Sequence, residues 1–182
     1  VEKSSSHVGR KITLPWILID GQVIELTKMY METLSAQFQR EQGRPLNYCG
    51  NIVFPIFKKD LDQELVSLVI TRLSSLRKPE QGIRIKVERG EIHLNGKKYK
   101  EIILWEDSSP DSVEITVISK GKSQLKIWNV WRVDSLVNAW VGNAGMVINE
   151  IATQSLEFQC SDGVGSVDFS NLVFVVRILD GA

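Results

Sequence analysis

The stretch "CSDGVGSVDFSNLVF" brings Asp162, Asp168, Ser170 and Asn171 together just ahead of an apolar run. Carboxylates and amide carbonyls are hard oxygen ligands, and a loop that presents several of them can wrap a calcium ion. Asp162, Asp168 and Asn171 are the candidate metal ligands. The competing expectation, and the favoured one, is a Gly-rich loop whose Asp and Asn side chains cap backbone groups. No cofactor is therefore expected.

Tryptophan is the second chemical resource, with 5 in 182 residues. Flat aromatic rings pack well against the C–H faces of sugars and against apolar partner surfaces. Trp105, Trp131 and Trp140 lie beside polar loop sequences and are the candidate ligand-binding residues. In "KIWNVWR", a strand period of two sends Trp128 and Trp131 to opposite faces, so the two rings must do different jobs. Leu125, Ile127, Asn129 and Trp131 would share an inter-sheet face; Trp128 would sit under a helical layer with Lys126 and Arg132 reaching outward.

A third feature is a run of positive charge: Arg84, Lys86, Arg89, Lys97, Lys98 and Lys100, against Glu88 and Glu91. Of these, Arg84, Lys86, Lys97, Lys98 and Lys100 form a candidate basic patch for an acidic partner or an anionic glycan. The simpler expectation is a solvated sheet face that discourages edge-to-edge pairing.

Catalysis is poorly supplied. A Ser-His-acid arrangement needs a positioned histidine, and the chain has only His7 and His93. Cys49 and Cys160 have no second Cys or His at metal spacing and cannot build a disulfide framework. The glycines near the C-terminus lead into a strand rather than a phosphate-binding helix. Carboxylate chemistry is left to Glu106, Asp107, Asp162 and Asp168, all in turn-like sequence where acidic residues are ordinary. No catalytic residue is assigned.

The elements that must position these side chains follow from periodicity. Apolar residues at Val23, Leu26, Tyr30, Leu34 and Phe38 recur at helical steps and predict an amphipathic helix over 22–41, stopped by Gly43 and Pro45. Leu61, Leu65, Leu68, Arg72 and Leu76 predict a second over 60–77, with Asp60 as N-cap and Gln63 at the capping-box position. "NIVFPIF" reads as a short strand confined by Pro55 to an edge or a bulge. From residue 82 the period becomes two, Asn95-Gly96 marks a hairpin, and strands are expected near 98–105, 112–119, 124–132, 136–141, 145–149, 155–160 and 171–179. The expected class is α+β: an antiparallel β-sandwich or jelly-roll-like region over 83–179 with both helices packed on one sheet face. Residues 12–179 would form one domain, made of a helical layer (12–80) and the β-sandwich (82–179), after a flexible terminus at 1–11.

Composition bounds the function. The 22 basic residues balance the 22 acidic ones, which removes the bulk attraction that non-specific nucleic-acid binding requires, so no nucleic acid is expected as partner. The longest apolar runs, "LPWILI" and "LVFVV", are strand-sized, so no membrane span is expected. No segment has the charged-then-apolar layout of a signal peptide, and a cytoplasmic location is the default expectation. Three functions are consistent with these limits. The first is a non-catalytic interaction protein that binds another protein or a second copy of itself. A carbohydrate-binding module using loop-proximal tryptophans comes second, and a carboxylate-dependent hydrolase or lyase third.

Overall fold

The computed structural model describes residues 32–179 in full, together with the backbone of two short strands, β1 (Trp16–Ile19) and β2 (Gln22–Glu25). The chain divides into the units Val1–Glu32 and Thr33–Ala182. Within the first, β1 and β2 pair antiparallel, Trp16 opposite Glu25 and Ile19 opposite Gln22. The expected terminus over 1–11 and residues 26–31 of the expected first helix lie outside the described residues.

The second unit opens on a helix that is much shorter than periodicity predicts. α1 (Leu34–Arg40) starts at Thr33, whose Oγ1 accepts a hydrogen bond from the Ala36 N–H at 3.3 Å. It ends at Gly43, which adopts φ +75° and donates its N–H to the Phe38 carbonyl at 2.7 Å. Leu34 and Phe38 are its buried face, as their spacing implies, and they join Leu46, Val53 and Val147 in a small apolar cluster. The upstream part of the predicted helix is not helical: Gln22–Glu25 is strand β2.

The predicted helix over 60–77 is not formed at all. After β3 (Leu46–Tyr48) and β4 (Asn51–Phe54), these residues make β5 (Phe57–Leu61) and β6 (Leu65–Ser75). A segment apolar at almost every position satisfies both the helical and the strand period, so periodicity alone cannot separate them. Val66, Val69, Ile70 and Thr71 tip the balance, because β-branched side chains fit a pleated surface better than a helix. The supposed cap, Asp60, instead accepts a hydrogen bond from Gln124 Nε2 at 2.8 Å across neighbouring strands.

The single strand expected over 98–105 breaks after Tyr99 into two that join different sheets, and otherwise the remaining strands follow the predicted spacing. They are β7 (Glu80–Val87), β8 (Gly90–Leu94), β9 (Lys97–Tyr99), β10 (Glu101–Trp105), β11 (Ser112–Ser119), β12 (Ser123–Val133), β13 (Leu136–Asn138), β14 (Gly145–Ala152), β15 (Ser155–Ser161) and β16 (Leu172–Leu179). The β8–β9 hairpin turns at Asn95-Gly96, both with positive φ, as the sequence signal requires.

All pairings are antiparallel and fall into two sheets in this unit. One runs β3-β4-β14-β15-β16-β6-β11-β8-β9. The other runs β10-β7-β12-β13, with β5 also paired to β12. Their inner faces share one hydrophobic core. Leu68, Ile70, Ile115, Val117, Phe158, Phe174 and Val176 come from the larger sheet; Ile83, Ile85, Leu125, Ile127 and Leu104 come from the smaller. Phe57 of β5 meets Phe158 of β15 edge-on at 5.3 Å, and Phe158 stacks on Phe174 at 4.6 Å. β6 lies between β16 and β11, so no helical layer stands apart from the β region. Val173 and Val175 are accordingly half-buried rather than covered by helices.

Candidate ligand-binding site

The outer face of the smaller sheet collects most of the aromatic and cationic groups, because β7, β10 and β12 align them by register. Arg84 is opposite both Trp128 and Ile103, and Gly82 is opposite both Val130 and Trp105. Gly82 is small for a reason: a Cβ there would lie 2.7 Å from the Trp105 ring, which covers the glycine. The Arg132 guanidinium sits 4.8 Å from the Trp105 ring centroid and the Arg84 guanidinium 5.5 Å from that of Trp128. Trp105 is held from the other sheet, since the buried Arg72 donates to the Trp105 and Glu106 carbonyls at 3.1 and 3.4 Å and pairs with Asp111 at 3.1 Å.

Trp140 completes this face. It stacks on Trp128 with centroids 5.3 Å apart and an interplanar angle of 29°, and its Nε1–H donates to the Pro55 carbonyl at 3.1 Å. Trp128, 4% exposed, is thus buried beneath another tryptophan and not beneath a helix; Trp140 remains 46% exposed. One ring face of Trp140 is backed by Trp128 and its N–H is engaged, yet close to half of the residue remains in solvent. Its backbone is also unusual. Trp140 has φ +57°, a left-handed conformation that costs a bulky residue on the order of 1–3 kcal/mol and persists only where surrounding contacts impose it.

That exposed ring forms one wall of a cleft of about 350 Å³. Ser35, Phe38, Gln39, Gln42 and Gly43 line it from α1 and its C-terminus; Pro55 and Ile56 line it from the β4–β5 connection and Lys58 from β5. The lining is largely apolar, with amide, hydroxyl and ammonium groups at a few positions, the composition expected of a small-ligand site. Among the described residues no acidic side chain lines it.

The predicted site residues divide. Trp105 and Trp140 stand on this outer face, whereas Trp131 points the opposite way, 2% exposed, beneath Gly163. Arg84 and Lys86 are on β7, each paired with Glu101, while Lys97 and Lys98 are on β9 of the other sheet. Lys98 pairs with Glu91 at 3.5 Å and Lys100 donates to the Gly90 carbonyl at 2.9 Å, so these charges are distributed over two sheets and largely met. Burial acts to raise the Glu91 carboxyl, but the nearby Lys98, Lys120 and His93 outweigh it and hold the group below its ordinary value.

The C-terminal loop uses its oxygens internally. Asp162 is buried and accepts from Gln81 Nε2 at 2.9 Å and from the Val164 N–H at 2.8 Å. Asn171 Oδ1 accepts the Asp162 N–H at 3.0 Å. Asp168 accepts from the Ser170 hydroxyl at 2.6 Å and its N–H at 2.9 Å, and these bonds hold its carboxyl below the usual aspartate value. This is Asx-turn chemistry. Among the described residues no group of three or more His, Cys, Asp or Glu is disposed to hold a metal.

Two further carboxylates, Glu80 and Asp107, flank Arg132 beside Trp105. The neighbouring Glu80 and Ser108, together with the Arg132 guanidinium, keep Asp107 below its ordinary value, which suits a structural ion pair better than a proton donor. Burial pushes the Cys160 thiol well up, leaving it an unreactive core residue.

Lys58, Gln39, Gln42 and Pro55 escaped sequence reasoning. The one signal was Pro55 interrupting an apolar run; the approach of α1 to it is a tertiary fact. No family model matches the chain, and neither a curated protein nor a solved structure matches it.

Proposed function

We propose that this protein is a non-catalytic binding module, a β-sandwich of jelly-roll type that holds a saccharide in the Trp140 cleft. The observation that carries this reading is Trp140 itself: a half-exposed ring kept in a left-handed backbone conformation, stacked on Trp128 and anchored to Pro55, at the wall of a cleft. Strain at a bulky surface residue is a sign of function when neighbouring contacts enforce it. A sugar would lay a C–H face on the free side of the ring, and Ser35, Gln39 and Gln42 offer donors and acceptors for its hydroxyls. Among the described lining residues no nucleophile has an adjacent base, which favours binding over turnover.

Titrating the full chain with cello-, xylo-, chito- and galacturonic oligosaccharides, followed by tryptophan fluorescence, tests the reading. At least one should bind saturably, and Trp140→Ala should weaken it by about tenfold or more, the equivalent of about 1.4 kcal/mol. Unchanged affinity in a variant with a native circular dichroism spectrum would overturn the assignment of Trp140.

A second reading, pairing with a protein or another copy of this chain, is favoured by the β12–β13 hairpin. Val133, Val137 and Leu136 are exposed there, Leu136 at 71%, on a short edge strand. Self-association would appear as a concentration-dependent sedimentation coefficient abolished by Leu136→Glu. A concentration-independent monomer removes self-pairing.

A further inference from the structure

We infer that the cleft selects acidic saccharides, with the Lys58 ammonium pairing with a sugar carboxylate; this rests on the saccharide reading of the Trp140 site. Among the described residues that line the cleft, Lys58 is the single ionisable one, a positive charge with no negative one beside it. Its neighbours explain why that charge is available. Lys58, Lys126 and Lys86 stand opposite one another on β5, β12 and β7, three like charges across one row of the sheet. Lys126 is answered by Glu88 and Lys86 by Glu101. Among the described residues no ion pair holds Lys58; Glu88 feels its field, but the Lys126 hydrogen bond is the larger influence on that carboxyl. Like charges directly opposite are unfavourable, so an anion brought to Lys58 also relieves repulsion within the row.

Two lining residues divide the recognition. Trp140 reads the apolar face of a sugar ring, and Lys58 reads a charged substituent. A cavity of about 350 Å³ is at the small end of ligand sites and suits one sugar unit with its substituents better than a long chain. Because Lys58 is exposed, the pair is a rim contact, open to screening by salt.

The test compares trigalacturonic acid with its methyl ester, which removes the charge and keeps the rings, by fluorescence titration of the full chain at low ionic strength. The acid should bind about two- to fivefold more tightly, as an exposed ion pair allows, and the preference should shrink in molar salt. Lys58→Gln should erase the preference of acid over ester, whereas Trp140→Ala should weaken both ligands alike. Equal affinity for acid and ester in the unmodified protein, or a preference that survives Lys58→Gln, overturns the inference and leaves the saccharide reading intact. Failure of both forms and of every neutral oligosaccharide to bind overturns the saccharide reading itself. A sulfated oligosaccharide that binds more tightly than the uronate overturns the assignment of the anion to a carboxylate.

Discussion

Trp131→Ala is expected to lower the unfolding free energy by about 3 to 5 kcal/mol, the range for deleting a large buried aromatic. Trp131 is on the inner face of β12 and all but sealed from solvent. Its six-membered ring is roofed by Gly163, where an added Cβ would fall 2.4 Å from Trp131 Cζ2 and equally close to the Val141 carbonyl. The C-terminal loop therefore rests directly on the indole, and its polar network begins alongside. Asn129, two positions earlier on the same face, donates from Nδ2 to the Ser161 carbonyl at 2.9 Å, and Asp162 follows with its bonds to Gln81 and Val164. Removing the ring leaves a void that a glycine-rich cover held by buried hydrogen bonds cannot collapse into without breaking them. Urea unfolding should show a lower midpoint at unchanged slope. A loss under about 1 kcal/mol would mean that the loop closes over the gap and that the indole does not support it.

This ring also shows what the sequence made legible. Alternation through "KIWNVWR" separates Trp131 from Trp128, and the structure gives the two rings different neighbours, Gly163 over Trp131 and Trp140 over Trp128. The buried Asn129 required a partner, and the Ser161 carbonyl is that partner. From β7 onward, charged and apolar residues alternate or turn residues intervene, so each strand announces itself. The Asn95-Gly96 turn is the strongest such signal, and it forms.

The chain before β7 was less legible for a physical reason. "LVSLVITRLSS" carries apolar groups at nearly every position, so the difference between 3.6 and 2 residues per repeat disappears, and sheet pairing on both sides decides the outcome. The site was hidden for a related reason. Trp140 could be singled out from its composition and its loop, but Lys58, Gln39 and Pro55 become its neighbours only through the docking of α1 near the β4–β5 connection. The Asp162 loop is legible as oxygen-rich from its composition. Which partners those oxygens take, Gln81 from another sheet and the loop's own backbone, depends on strand order.

Leu65 and Leu68 decide between the helix that periodicity suggested and the strand that the fold contains. On a helix, residues three apart share a face, so both leucines would be buried and their truncations similarly costly. On β6 they have opposite parity. Leu68 is fully enclosed in the core, at 0% exposure, opposite Ile115 on β11 and Ile178 on β16, while Leu65 is 47% exposed at the start of the strand. Leu68→Ala should therefore cost about 2 to 5 kcal/mol, with the larger values expected where a rigid, sheet-bound surround cannot close the cavity. Leu65→Ala should fall within about 0.5 kcal/mol of the unmodified protein, as surface substitutions do. Both neighbours of Leu68 are β-branched side chains fixed by ladder hydrogen bonds, which makes collapse into the gap difficult and places the expectation toward the upper half of that range. Equal, large losses at the two positions in equilibrium denaturation would restore the helix and dissolve the central pairing of the larger sheet. A loss confined to Leu68 is the signature of a strand with one face in the core.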